Sequence, residues 1–350
     1  MEDSQLFDPD GVGVDNGAYF GMPFTPDDAA LVLISAPWDV TVSYGAGTAY
    51  GPDAIIEAST QLDFYDPLSP DAWRRGIATA DVDYSLQEES QRLRADAVKV
   101  MRHLEQGGSL SDVLIERKVR RVNEGCAAMN ANILAQARRW LDKGKLVGLV
   151  GGDHSTPYGL IRALGERHER FGILHVDAHR DLREAYEGFE FSHASIMYNV
   201  LRDVPQAAKI VQVAVRDFSR GELALAEASE RVESFDDLTL AEAEFRGETW
   251  DEQCRRIAER LPEEVYVSFD IDGLSFDNCP RTGTPVPGGL SFNKAMWLVE
   301  TVARTGRRII GFDVVEVAPA PEERLDAITG ARVLWKLCGM ALKTNMNPKK

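Results

Sequence analysis

The sequence predicts an α/β chain of three layers, with helices on both faces of a mostly parallel central sheet. Two observations carry this expectation. Short apolar runs of the fully buried type alternate with segments of helical periodicity. Clusters of acidic and histidine residues follow the ends of those runs, where open parallel sheets collect ligands. Residues 1–28 read as an irregular, acidic N-terminal arm, and residues 29–345 as a single catalytic domain. The first strand is expected at Ala30–Ala36, stopped by Pro37. Further strands are expected at Lys145–Val150, Phe171–Val176, Lys209–Val215, Val265–Phe269 and Arg308–Val315. Helical patterns occupy Gly51–Ser59, Gln87–Glu105, Ser109–Lys143, Pro157–Arg167, Trp250–Arg260, Ser291–Arg304 and Arg324–Leu342. The third of these exceeds an ordinary globular helix, so a break is expected near Lys118. The stretch from Asp66 to Gly125 reads as either an oligomer contact or a pocket wall.

A chain of 350 residues with 44% hydrophobic content is long enough to bury a large core. Its formal charge of −17 argues against nucleic acid, whose phosphates demand a basic surface, and favours a small cationic partner. Cys126, Cys254, Cys279 and Cys338 are widely spaced and form no Cys-x-x-Cys pair, which suggests a reducing cytoplasm. The N-terminus carries no apolar export signal, and no apolar run approaches the ~18 residues of a membrane span, so no membrane insertion is expected.

Five of the six histidines fall between His154 and His193. That interval also holds Gly151-Gly-Asp-His154 and Asp177-Ala-His179-Arg-Asp181, each following an expected strand, while Asp270-Ile-Asp272 follows another. Alternation along an extended segment would point Asp177, His179 and Asp181 the same way, and likewise Asp270 and Asp272. Two imidazoles and four carboxylates exceed the needs of one ion and suit two divalent ions with shared carboxylates. Such a pair lowers the pKa of water enough to supply a nucleophile near neutrality. The glycines at 151 and 152 are read as permitting the turn that aims His154 inward.

These motifs resemble those of the ureohydrolase family, the arginases and agmatinases, over about Ala30 to Leu342. The resemblance rests on Gly151-Gly-Asp-His-Ser155, Asp177-Ala-His-Arg-Asp181, Ser268-Phe-Asp-Ile-Asp-Gly-Leu274 and Thr282-Gly-Thr-Pro-Val-Pro-Gly-Gly289. It implies an arginase-like fold and one ion on His154, Asp177, Asp181 and Asp270, the other on Asp177, His179, Asp270 and Asp272. The ions would be Mn²⁺, or Ni²⁺ in a guanidine hydrolase. The reaction would be hydrolysis of a guanidino compound to urea and an amine, with Asp181 passing a proton to the leaving amine. Glu316 would pair with the guanidinium, and His193 would serve proton transfer or substrate positioning. Thr284, Arg183 and Glu184 would complete the substrate contacts, with Trp38 and Tyr44 roofing the pocket. A homo-oligomer, trimer or hexamer, is expected by the same resemblance.

The loop Asp181-Leu-Arg183-Glu184-Ala-Tyr186-Glu187-Gly-Phe189-Glu190 departs from arginases that read the substrate's α-carboxylate through an asparagine, since Arg183 stands at that position. Agmatine ranks first as substrate, then free guanidine, then arginine or a guanidino acid. Readings of a different class are a catalytically silent scaffold and a single-zinc deacylase. An intact ligand set speaks against the first, and the paired aspartates against the second. His175 reads as structural, and His103 and His168 as surface helix positions.

Overall fold

The computed structural model describes residues 7–320 and 324–346. Eight strands form one sheet in the order β2-β1-β3-β8-β7-β4-β5-β6. They are β1 (Leu31–Ala36), β2 (Ile77–Thr79), β3 (Leu146–Gly151), β4 (Phe171–Val176), β5 (Ala207–Val213), β6 (Val232–Phe235), β7 (Glu264–Asp270) and β8 (Arg308–Val315). Every pairing is parallel, so the sheet is parallel throughout. Parallel strands need crossovers, and helices supply them: α1 (Gly51–Ser59), α2 (Tyr84–Glu105), α3 (Val113–Leu141), α4 (Tyr158–Gly165), α5 (Ile196–Asp203), α6 (Arg220–Ala228), α7 (Asp237–Phe245), α8 (Trp250–Glu259) and α9 (Phe292–Arg304), while α10 (Leu325–Thr344) follows the last strand.

Successive strand side chains face opposite ways, and here each face is covered. Leu31 and Leu33 of β1 join a core with Ile55 of α1, Ile257 of α8, Leu298 of α9 and Leu337 of α10. Their neighbours Val32 and Ile34 join a second core with Leu93 of α2, Ile133 of α3, Leu160 of α4 and Val200 of α5. That division is the physical content of the three-layer expectation.

The two edge strands β2 and β6 escaped the sequence reading because three or four residues are too few to show a period. Helices α5, α6 and α7 also escaped it. The expected break near Lys118 is absent: α3 runs unbroken for 29 residues. It starts at Val113 rather than Ser109, because Gly107, at φ +81°, and the turn after it separate it from α2. In the described part of the arm a short 3₁₀ turn, Tyr19–Gly21, packs on the core. Tyr19 and Phe20 are buried, with Tyr19 Oη 2.7 Å from Ser35 Oγ and Phe20 edge-on to Trp335 at 4.9 Å. Among the described residues no helix is long and apolar enough to cross a membrane, and all four cysteines are free and buried.

Candidate metal centre

The four central strands β3, β8, β7 and β4 end side by side, and each hands its following residues to one rim. Strand β3 leads to His154, β8 to Glu316, β7 to Asp270 and Asp272, and β4 to Asp177, His179 and Asp181. The chain leaves β3 and returns at β4 further across the sheet, with β8 and β7 between them, so the site lies where the strand order reverses.

Strand alternation does not bring the candidate ligands together, contrary to expectation. Strand β4 ends at Val176, and Asp181 turns inward from a loop by adopting φ +54°. Side-chain and backbone partners hold that left-handed conformation. The Asp181 carbonyl accepts from the N–H groups of Met197 and Tyr198, and Leu182 N–H donates to Glu222 Oε1. Likewise Asp272 follows Asp270 through a single 3₁₀ turn, Ile271–Gly273, and its N–H donates to Asp270 Oδ1 at 2.9 Å. Gly152 is needed for close approach rather than for a turn: a Cβ there would lie 2.0 Å from the Trp38 carbonyl oxygen.

His154 Nδ1 lies 2.9 Å from Asp177 Oδ2, 3.1 Å from Asp270 Oδ2 and 3.2 Å from Asp181 Oδ2. His179 Nδ1 lies 3.2 Å from Asp272 Oδ2 and 3.4 Å from Asp177 Oδ1. Asp177 thus sits between the two groups. Among the described residues, His154 Nδ1 and Asp272 Oδ2 are buried yet lack a well-directed hydrogen bond. Buried polar atoms left this way call for a partner of another kind, and an oxygen and imidazole donor set around them fits divalent cations.

The tautomer of His154 suits that role. Its Nε2 is 2.9 Å from the Ser268 hydroxyl, which in turn bonds the buried Asp313 carboxyl. With Nε2 carrying the hydrogen, Nδ1 offers its lone pair to the centre. His175, expected to be structural, is fully buried and hydrogen-bonded to the candidate ligand Asp177. Gln212 Nε2 donates to its Nδ1 at 3.0 Å, so its Nε2 donates to Asp177 Oδ2 at 2.8 Å.

Charge is strongly perturbed here. Burial, helped by Asp272 and Asp177, drives the Asp270 carboxyl well above its usual range. Burial and Asp177 push Asp181 up to about 6. Burial opposes ionisation of Asp177, yet His175, His154 and His179 outweigh it and hold that group well below its usual range. His154 is raised despite its burial, by Asp177, Asp181 and Asp270. So many carboxylates in one buried volume cannot all stay ionised without cations among them.

Beside this centre opens a cleft of about 300 Å³. His179, Asp181, Arg183, His193 and Thr284 line it, as does Tyr44, which is 80% exposed at the mouth. Glu316 is buried at φ +65°; its Oε1 accepts from His154 N–H at 2.9 Å, and its Oε2 is buried without a hydrogen bond. Burial and the neighbouring Asp153 carboxyl raise its pKa well above the usual value. His193 is buried, its Nε2 is also unpartnered, and burial with the nearby His179 and His154 lowers its pKa to about 3.

Two expected residues lie elsewhere. Glu184 is exposed and lines a separate outer groove with Glu190 and Arg202, because the loop turns its side chain away from the cleft. Trp38 is 1% exposed in the core and roofs nothing. His103 and His168 are half-buried, facing Asp112 at 3.3 Å and Glu264 at 2.6 Å.

Asp217, Phe218 and Glu222 line the cleft and were missed by sequence reasoning. Glu222 had a legible signal, the Ser-x-x-Glu of a capping box, which closes with Ser219 at the start of α6.

The model of the arginase family matches residues 29–339. This chain belongs to the arginase family. It is 30% identical to the N(1)-aminopropylagmatine ureohydrolase of Thermus thermophilus, over 92% of this chain and 94% of that one. It is 31% identical to the agmatinase of Edwardsiella ictaluri, over 86% and 84% of the two chains. In architecture it is similar to the proclavaminate amidino hydrolase of Streptomyces clavuligerus, with a TM-score of 0.72 at 21% identity, covering 96% of this chain and 100% of that one. The arginase-like α/β fold expected from the motifs is therefore the fold this chain has.

Proposed function

We propose that this ureohydrolase cleaves a small cationic guanidino compound to urea and an amine, with agmatine, giving putrescine, as the leading substrate. The observation that carries the reading is the unpartnered His154 Nδ1, faced by three carboxylates beside an acid-lined cleft. His154, Asp177, Asp181 and Asp270 would hold one divalent ion, and Asp177, His179, Asp270 and Asp272 the other, Mn²⁺ being the first choice. Bound there, the pair would supply Lewis acidity and water activated at neutral pH.

The chain's own residues do the rest. Glu316 receives the guanidinium. Its Oε1 already accepts the His154 N–H, so Oε2 is the oxygen free for substrate, and bidentate pairing is not available in full. Gly283 packs directly against that oxygen, where a Cβ would stand 2.4 Å from Oε2. Water adds to the guanidinium carbon, forming a C–O bond. The C–N bond to the chain-bearing nitrogen then breaks, Asp181 delivers to that nitrogen one proton of the water, and the second, lost from the C–OH as the urea carbonyl forms, makes the released amine an ammonium. His193, with its free Nε2 in the cleft, orients the substrate and assists the proton's passage.

Preference for a cation rests on Arg183. Its Nε is 3.5 Å from Glu222 Oε2, and its guanidinium stacks on Tyr186 at 4.6 Å. Engaged this way it offers little to a substrate carboxylate, while the exposed Asp217 adds a carboxyl to the cleft. The test is urea release by protein loaded separately with Mn²⁺ and Ni²⁺, against agmatine, N(1)-aminopropylagmatine, guanidine, arginine and 4-guanidinobutyrate. The highest kcat/KM should fall on a cationic amine. Activity confined to guanidine would move the protein to the second-ranked substrate. Preference for 4-guanidinobutyrate would mean that Arg183 reads a carboxylate. No urea from any of them with both ions bound would end the reading.

A further inference from the structure

The stretch 66–125, open from sequence between an oligomer contact and a pocket wall, supplies α2 and the first part of α3. On α2, Ser90 and Arg94 lie one turn apart and both reach the loop that follows β1. The Ser90 hydroxyl accepts from Asp39 N–H at 3.0 Å and donates to Asp39 Oδ1 at 3.3 Å. Arg94 Nη1 donates to the carbonyls of Val40, at 3.0 Å, and Val42. Thr41, between those two carbonyls, is thereby fixed. Its Oγ1 donates to Asp153 Oδ2 at 3.2 Å and accepts from His193 N–H at 3.1 Å.

On α3, Asn123 holds the loop that carries Tyr186 with both ends of its amide. Its Nδ2 donates to the Gly188 carbonyl at 3.0 Å, and its Oδ1 accepts from Glu190 N–H at 3.0 Å. Next to these contacts lies a turn closed by reciprocal Tyr186 and Phe189 backbone bonds. That turn sets the Tyr186 ring edge-on to His193, with centroids 6.1 Å apart.

We propose that Arg94 and Asn123 are positioning residues for His193, with the α2–α3 pair bracing it from two sides, through Thr41 and through Tyr186. Neither residue lines the cleft, and each acts through a backbone segment that adjoins it. Burial lowers the Arg94 pKa, and the nearby Asp39 and Asp153 carboxyls oppose that shift. Both Arg94 bonds to the carbonyls leave one nitrogen, Nη1, whose two hydrogens are held in the guanidinium plane, whereas a lysine ammonium rotates freely about its stem.

The role of His193 in turnover rests on the ureohydrolase reading, so the test separates the two. In full-length protein carrying ¹³C-labelled histidine, the His193 ring signal is assigned by its loss in His193→Gln. Arg94→Met, Thr41→Val and Asn123→Ala should each shift or broaden it while the His103 and His168 signals stay in place. In the turnover assay the same variants should lose about tenfold or more in kcat, with a smaller change in KM and metal content retained. Arg94→Lys should recover part of the loss. Arg94→Met combined with Thr41→Val should be no worse than the worse single variant, because both act on one link. Should Arg94→Met fail to fold, the half-buried Asn123 and the near-isosteric Thr41→Val carry the test.

A His193 signal unmoved in the folded variants, or additive losses in the double variant, would overturn the proposal. A wild-type protein that forms no urea, yet shows the coupled His193 shifts, would overturn the ureohydrolase reading and leave the bracing established.

Discussion

Gly152 decides where His154 points, and it does so by lacking a side chain. Its N–H donates to the Ala36 carbonyl, and its Cα faces the Trp38 backbone so closely that even a methyl group would collide. Gly152→Ala should therefore destabilise the fold by ~1–3 kcal/mol and lower metal content, read by denaturant unfolding and by metal analysis of the purified protein. Wild-type metal content in that variant would show that the segment relaxes freely. Removing a ligand tests the centre directly. His154→Ala or Asp270→Ala should abolish urea release and lower bound metal, and full activity with two ions retained would remove those residues from the centre. Glu316→Gln should leave the metals in place and depress kcat/KM for guanidino substrates. An unchanged value would take Glu316 out of the substrate site. At this scale the candidate ligand types were legible, because the ionisable groups of Asp-x-His-x-Asp and Asp-x-Asp, buried at the ends of apolar runs, require compensation that cations would supply. The means of convergence was not. A left-handed Asp181 and a 3₁₀ turn at Ile271–Gly273 depend on partners such as Met197, Tyr198 and Glu222, which come from other elements.

Between elements, α2 and α3 show how charge and shape cooperate. Asp96 on α2 receives Lys118 at 2.5 Å and Arg121 at 3.0 Å from α3. Gly125, an unfavourable residue inside a helix, admits Leu93, since a Cβ would meet Leu93 Cδ1 at 2.1 Å. Lys118 thus marks a contact rather than the break expected there, and packing along α2 keeps α3 continuous. The Lys118 hydrogen bond, opposed by burial and aided by Arg121, lowers the Asp96 pKa below its ordinary 3.8. A carboxyl depressed in the folded state stabilises fully above its unfolded pKa, and the benefit is lost as pH falls through the folded value. Asp96→Asn should accordingly lower stability by about 1 kcal/mol near pH 7, a figure held down by the solvent exposure of Arg121. The difference from wild type should shrink as pH drops below about 4, and a pH-independent difference in thermal melts would show that the pairing contributes nothing. The long helices were readable from their period. The segments at 77–79 and 232–235 were not, because pairing with β1 and β5 makes strands of residues whose own pattern is too short to declare them.

At the scale of the whole molecule, the binding of cations between β3, β4 and β7 should couple to the stability of the entire sheet, since these strands and β8 form its centre. An ion that binds the folded chain and not the unfolded one adds about 2.7 kcal/mol at a hundredfold excess over its Kd. Chelator-treated protein should melt at a lower temperature, with Mn²⁺ or Ni²⁺ restoring the original value. A melting temperature indifferent to chelation and reloading would argue against ions held by all three strands.

The sequence alone determined the alternation of strands and helices, the residue types of the candidate centre and the family, because each is a local or periodic property of the chain. It could not determine which carboxylates face which imidazole, that Arg183 is engaged by Glu222 and Tyr186, that Glu184 turns away from the cleft, or that α2 and α3 reach the segments around it. Those facts arise from contacts between residues far apart in the chain, and only the packed sheet and its crossover helices bring such residues within reach of one another.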